Sequence, residues 1–129
     1  MSKTHAEIVR FAIAGVIGLF IDILVLYCTL ALGLGWYGGR AISFLTAVFA
    51  TWQINRRCTF NANAGISLWQ EWWRYFLAMS GGGLVNYAAY SATIYFFSGF
   101  RFLPVLAVAI GSLSGMIINF LGAKLFVFR

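Results

Sequence analysis

The chain has 129 residues, of which 62% are hydrophobic and 9% charged, with a formal net charge of +6. A soluble domain of this size has too little interior to hide that much apolar surface, so lipid must be the solvent for most of it. Three acids and one histidine leave little acid–base capacity. No nucleophile–base pair, phosphate loop or His/Cys cluster is visible, so neither an enzyme active site nor a metal or organic cofactor is expected. The basic residues sit at the ends of apolar segments, which reads as orientation signal and lipid contact rather than nucleic-acid binding.

Four apolar segments follow one another at about 8–34, 37–60, 73–97 and 103–128. Each is longer than the roughly 20 residues needed to cross a bilayer core. All are expected to be helices, because a lone strand would leave its backbone unpaired in lipid. Lys3 and His5 make a weak basic start, but the first apolar run outlasts a signal peptide's, so this helix is expected to be retained. Cys28 and Cys58 fall at different expected depths and are read as small apolar fillers.

The connections are short. Gly33-Leu-Gly-Trp-Tyr-Gly-Gly39 joins the first pair of helices; Ser98-Gly-Phe-Arg-Phe102 with Pro104 joins the second. Residues 61–70 form a polar cytoplasmic linker leading into Trp69, Trp72 and Trp73, which suit an interfacial aromatic belt. In this four-pass arrangement Lys3, Arg10, Arg56, Arg57, Arg74, Lys124 and Arg129 lie on one side, and Arg40 and Arg101 on the other. That bias places both termini in the cytoplasm.

A shift of 64 positions lays the second half on the first. Glu7 falls on Glu71, Arg10 on Arg74, Phe11 on Tyr75, Ala14 on Ala78, Gly18 on Gly82, Asp22 on Asn86 and Asn55 on Asn119. The matches pick out scarce charged, polar and small residues, which chance hydrophobic similarity would not do. The expected fold is therefore an all-α integral membrane protein: a single four-helix domain over 1–129, built as two parallel two-helix repeats, 7–60 and 71–128. The final motif departs from this register, since Arg56-Arg-Cys-Thr-Phe60 returns as Lys124-Leu-Phe-Val-Phe128 at a shift of 68.

Asp22 lies 12 residues after Arg10, roughly 18 Å into the helix at the α-helical rise. A carboxylate there costs about 2.5–3.5 kcal/mol on insertion scales. It should face the bundle interior, either as a hydrogen-bonded structural group, as a contact for a translocated headgroup or as a proton site. Asn86 should stand near the same depth. Asn55 and Asn119, with Gln53 beside the first, are expected near the cytoplasmic ends of the second and fourth helices, as interhelical glue or as partners for a sugar or phosphate. Glu7/Arg10 and Glu71/Arg74 have the spacing of same-face ion pairs. Arg10, Arg56, Arg57, Arg74 and Lys124 would also crowd one face with cation, and a lipid phosphate is the natural anion at that depth. Ala14-x-x-x-Gly18 and Gly111-x-x-x-Gly115 are small-residue faces, and Ser80-Gly-Gly-Gly83 reads as a close-contact surface or a hinge.

Two stretches, Arg10-Phe-Ala-Ile-Ala-Gly15 and Trp52-Gln-Ile-Asn-Arg-Arg-Cys-Thr-Phe60, have echoes in Arg74-Tyr-Phe76 and Asn119-Phe-Leu-Gly-Ala-Lys-Leu-Phe-Val-Phe128. In these the chain resembles the GtrA-like family over nearly its whole length, with Lys124 where an arginine is typical. The resemblance implies four transmembrane helices in a bacterial cytoplasmic (inner) membrane. It also implies a flippase that moves a polyprenyl-phosphate-linked monosaccharide to the outer leaflet for O-antigen or other cell-surface glycan, supplied by a membrane glycosyltransferase. On that reading Arg10, Arg56, Arg57, Arg74 and Lys124 take the lipid phosphate, and Arg40 receives it on exit. Asp22, Asn86, Asn55, Asn119, Trp52 and Gln53 line the sugar path, Trp52 as a stacking face. The alternatives are a scaffold that recruits a glycosyltransferase, and a small proton-coupled exporter using Asp22. Because four helices are few for enclosing such a path, a homodimer is expected, with Gly111 and Gly115 as candidate interface.

Overall fold

The computed structural model describes residues 2–61 and 65–128. Arg129, counted above among the cytoplasmic charges, and residues 62–64 of the expected linker lie outside the described residues. Four helices run in sequence: α1 (Lys3–Ala31), α2 (Gly35–Ile54), α3 (Leu68–Phe96) and α4 (Leu103–Gly122). α2 and α4 each run on into a short π-helical segment, Asn55–Thr59 and Ala123–Val127. No strand occurs among the described residues.

The local chemistry sets these limits. Ser2 caps α1, its hydroxyl accepting from the His5 N–H at 3.2 Å. Ser67 and Gln70 form a reciprocal capping box at the start of α3, which satisfies donors that the first helical turn cannot. Hence α3 begins five residues before the expected start at 73, and Trp69 lies in its first turn. The α1–α2 turn is tight because Gly33 and Gly35 take φ of 87° and 76°, a region costly for residues with a Cβ. Pro104 sits in the first turn of α4, where its missing N–H leaves no broken bond. The two π segments close on wide backbone bonds, Phe60 N–H to Asn55 O and Phe128 N–H to Ala123 O, both 2.9 Å.

α1 packs chiefly on α2 and α3 on α4, while α1 also lies against α4; α2 and α3 meet least. The polarity is inverted relative to a soluble domain. Phe20, Leu24, Leu84, Leu113 and Ile117 are exposed, whereas Glu7, Asp22, Arg40, Asn55, Glu71 and Asn86 are buried. Such an apolar exterior around a polar interior suits a lipid solvent. By length and composition α1 and the α4 region are apolar enough to span a membrane, with mean hydropathy 2.4 and 2.0. Of the four segments expected to cross, these two meet that measure among the described residues. α2 carries Arg40 and Gln53, and α3 opens with Trp-Gln-Glu-Trp-Trp-Arg and carries Asn86; the buried Arg40, Glu71 and Asn86 and the exposed Gln70 and Arg74 lower the averages.

The expected small-residue contacts lie inside the chain. Gly82 and Gly115 bring α3 and α4 into backbone contact, and a Cβ on Gly115 would stand 2.6 Å from the Gly82 carbonyl oxygen. Gly111 lies against Asn86 in the same way. Gly111 and Gly115 are buried within the α3–α4 pair, so they are not available as the dimer interface expected of them. The Ser80–Gly83 stretch is continuous helix, with Gly82 on α4 and Gly83 facing the Phe44 ring; it serves contact and not a bend. Cys28 and Cys58 are free and exposed, with no disulfide between them.

Candidate functional site

The polar interior has two levels. The first lies where α1 and α3 begin and the π segments end. Here the expected i, i+3 ion pairs are not made. Glu7 pairs instead with Lys124 at 2.6 Å, and Glu71 with Arg56 at 2.6 Å. Each acid reaches across to the terminal segment of another helix, because it faces inward while Arg10 and Arg74 face outward. Glu71 also accepts from Trp52 Nε1 at 2.9 Å, and the Arg56 guanidinium lies 5.9 Å from the Trp52 ring. Trp52 is buried, packed against Phe49 and Trp72, so its ring is not an open stacking face for a sugar. Arg56 and Lys124, expected to hold phosphate, are committed to carboxylates. Arg10, Arg57 and Arg74 are exposed, and Arg10 donates to the Cys58 carbonyl at 3.4 Å. Gln53 is half-buried.

Just inside this layer the first π segment aims two side chains inward. Asn55 donates to the Tyr75 hydroxyl at 3.2 Å and accepts from Thr59 at 2.8 Å; Tyr75 in turn donates to Thr51 at 3.0 Å. Asn119 stands nearby on α4, and its Oδ1 is buried without a hydrogen-bond partner. Asn55 and Asn119 thus border one space, as expected, but they are not equivalent positions. Matched along their helices, Asn55 corresponds to Ala123 and Asn119 to Thr51, because α2 and α4 align at the 68-residue shift.

The second level lies toward the turns, roughly 22 Å along α2 from Asn55 to Arg40 at the helical rise. Arg40 is 1% exposed. Its Nη1 donates to Asp22 at 2.5 Å and to Ser43 Oγ at 3.2 Å, and its Nη2 donates to Asn86 Oδ1 at 2.8 Å. The guanidinium also lies over Phe44 and Tyr90, 5.5 and 5.3 Å from their ring centres. Nε has no hydrogen-bond partner. Asp22 and Asn86 are therefore together at one depth, facing inward, and the residue that unites them is the arginine expected on the outer side. A charge so near a helix end could have reached the surface. It turns inward because Asp22 would otherwise be buried alone, and an unpaired buried carboxylate costs several kcal/mol.

A central cavity of about 140 Å³ joins the two levels, bordered by Asp22, Thr51, Asn55, Tyr75, Asn86 and Asn119. Gly15 and Val16 of α1 and Leu113 and Met116 of α4 carry it to the outer surface between those helices. Opposite, between α2 and α3, is a second chamber of about 460 Å³. Asn86 and Phe44 border both; Asp22 borders only the central cavity and Arg40 only the side chamber.

Sequence reasoning missed Ser43, Thr51, Thr59 and Tyr75. One signal was present: Tyr75 is the hydroxylated counterpart of Phe11. Nothing in the sequence marked Arg40, rather than Arg10, Arg56 or Arg57, as the partner of Asp22.

An apolar shell, helices apolar enough to span and a polar interior opening sideways define a small polytopic membrane protein. The transmembrane domain described as GtrA/DPMS matches residues 10–128. The chain belongs to that family, as its motifs implied. No curated protein and no solved structure gives a significant match.

Proposed function

We propose that this protein is a flippase for a polyprenyl-phosphate-linked monosaccharide, working in the bacterial inner membrane with both termini cytoplasmic and carrying out no covalent chemistry. The observation that carries this reading is the internal polar column from Asn55 and Asn119 to Asp22, Asn86 and Arg40, within an apolar shell that opens laterally. A sugar needs hydrogen bonds through the bilayer core, while its polyprenyl chain can stay in lipid. The exposed Arg10, Arg57 and Arg74 would collect the phosphate at the cytoplasmic face. At about 140 Å³ the cavity is below the roughly 300–1,000 Å³ of small-molecule pockets, so transport requires the helices around it to part.

The parallel arrangement of the two halves is part of the proposal. It is supported by helices of 29 and 29, 20 and 20, and 5 and 5 residues. Crosswise Glu7–Lys124 and Glu71–Arg56 pairs and the Phe60–Phe128 ring stack, 5.1 Å between centroids, support it too. A membrane glycosyltransferase would supply the substrate, and a homodimer would have to use a face other than Gly111 and Gly115.

The test is outward movement of polyprenyl-phosphoryl glucose in proteoliposomes, read by access of an external glycan-oxidising reagent. Asn55→Leu and Asn119→Leu should each slow it at least tenfold while the protein stays folded. Unchanged rates in both would overturn the assignment of the path. A scaffold that recruits a glycosyltransferase is the second reading, favoured by the ion-paired state of Arg56 and Lys124; it predicts enzyme co-purification and no movement in liposomes.

A further inference from the structure

The Arg40–Asp22 pair stands between two spaces of different character. The side chamber between α2 and α3 reaches the outer surface past Leu45, Leu84 and Tyr87, all exposed and apolar in their bulk. At its inner end is Arg40, a buried cation whose Nε–H is unused. On the other side of the pair Asp22 faces the central cavity with its amides and hydroxyls. Arginine carries five donors, and here three are taken by Asp22, Ser43 and Asn86.

We propose that the side chamber is an anion-binding site for a lipid phosphodiester, and that the phosphate takes Arg40 from Asp22 as Asp22 takes up one proton. The identification of the anion as a phosphodiester rests on the function proposed above; the exchange itself rests on the charge arrangement. The interior holds one cation and one anion at this level. A second anion beside them would be uncompensated, and an unpaired charge in an apolar interior is strongly disfavoured. Neutrality is kept when the carboxylate is protonated: Arg40⁺/Asp22⁻ plus one lipid anion and one proton gives Arg40⁺/phosphate⁻ and neutral Asp22. The proton comes from water through the central cavity, and the lipid anion from the membrane through the chamber, so the two arrive from opposite sides. The hydrocarbon chain lies along Phe44, Leu45, Leu84 and Tyr87, and a volume of about 460 Å³ falls in the range of small-molecule sites.

Few other groups could supply this linkage. From α2, Asp22 meets Arg40 and Ser43; from α3, Asn86 and Tyr90 stand against Arg40, with Tyr37 and Tyr87 near Tyr90. α4 offers Ser112, Leu113 and Met116 around the cavity, none charged. Tyr90 already donates to the Trp36 carbonyl at 2.8 Å.

The experiment is calorimetric titration of the full chain in nanodiscs with farnesyl methyl phosphate, a diester that keeps one charge throughout pH 5–8. Farnesol and dimethyl phosphate serve as chain-only and phosphate-only probes. Binding of the diester should tighten about tenfold per unit fall in pH wherever free Asp22 is ionised. Titrations in buffers of different ionisation heat should show uptake of about one proton. Both controls should bind at least tenfold more weakly. Asp22→Asn should bind the diester tightly with no pH slope, Tyr90→Phe should keep the slope, and Arg40→Lys should lose at least tenfold in affinity. Binding of the diester without proton uptake by the unmodified chain would overturn the exchange, and needs no variant to fold. Farnesol binding equal to the diester would overturn the anion site. Proton-linked binding without flipping in proteoliposomes would leave this inference standing and sink the flippase reading; flipping with pH-independent binding would do the reverse.

Discussion

In the first hairpin Asp22 and Arg40 meet across α1 and α2 through a buried ion pair; at the matching places of the second hairpin stand Asn86 and Val108. Likewise Ser43, Asn55 and Thr59 of the first hairpin correspond to Gly111, Ala123 and Val127 of the second. The helices have the same lengths, yet at this level one pair is joined by an ion pair and the other by close glycine–backbone contacts. Removing side chains from α4 lets its backbone approach α3 closely, which gains van der Waals contact. It also makes room for Asn86, since any Cβ on Gly111 would collide with it. At this level the second hairpin is thus a close-packed wall, and the first carries the ion pair. A shared backbone can divide support and chemistry between its halves when one half gives up volume and the other keeps functional groups.

Substitutions at matched positions would break or sharpen this contrast. The largest effect is expected from Arg40→Ala, which strands Asp22 and Asn86. Losing one partner of a buried ion pair costs about 3–5 kcal/mol, against about 1.6 kcal/mol for the two methyl groups lost in Val108→Ala. Unfolding by SDS titration in mixed micelles measures both, and equal losses would erase the distinction. Next comes Gly115→Ala, whose new methyl meets the Gly82 backbone; overpacking of this kind costs about 1–3 kcal/mol. Gly18→Ala should cost less by the same assay, because its Cβ meets the movable Thr51 methyl.

The crosswise acids should separate by a smaller margin. Glu71→Gln weakens a buried group that accepts from both Trp52 and Arg56, worth about 1.5–3 kcal/mol for charged hydrogen bonds. The Trp52 indole would also lose a charged acceptor, so tryptophan emission should shift. Glu7→Gln should cost under about 1 kcal/mol, since its Lys124 partner is partly open to solvent, 27% exposed. The smallest change is expected for Lys124→Arg, within about 0.5 kcal/mol, because the ion pair with Glu7 can re-form; a larger loss would show that this site needs the shape of lysine.

Much of this contrast could be read from residues alone. Four apolar runs separated by glycine-rich or polar stretches gave the helices to within a few residues, and scarcity made Asp22, Asn86 and Asn55 conspicuous. Glu7 and Glu71 were misassigned because i, i+3 spacing shows which partners are near along one helix, not which face is buried. The pairing of Arg40 with Asp22 was missed for a related reason. Distance from a turn fixes how far along a helix a residue lies, but a long side chain can reach either water or an interior acid. The π segments had no sequence signal, and they decide that Asn55 points at Tyr75 and that Thr59 bonds to Asn55.

Composition and hydrophobic run length determined the class of this protein, because 62% hydrophobic residues admit no other solvent than lipid, and backbone hydrogen bonding in lipid admits helices. Its motifs determined the family. Tertiary structure alone decided the partners: that Arg40 joins α1, α2 and α3, that each glutamate reaches another helix's last segment, and that glycines of α4 serve contact within one chain. The physical reason is range. Hydrophobicity and helix formation act locally and leave a mark on each segment, whereas pairing of buried charges depends on which helix faces lie within a few ångströms, and packing sets that only when all four are present.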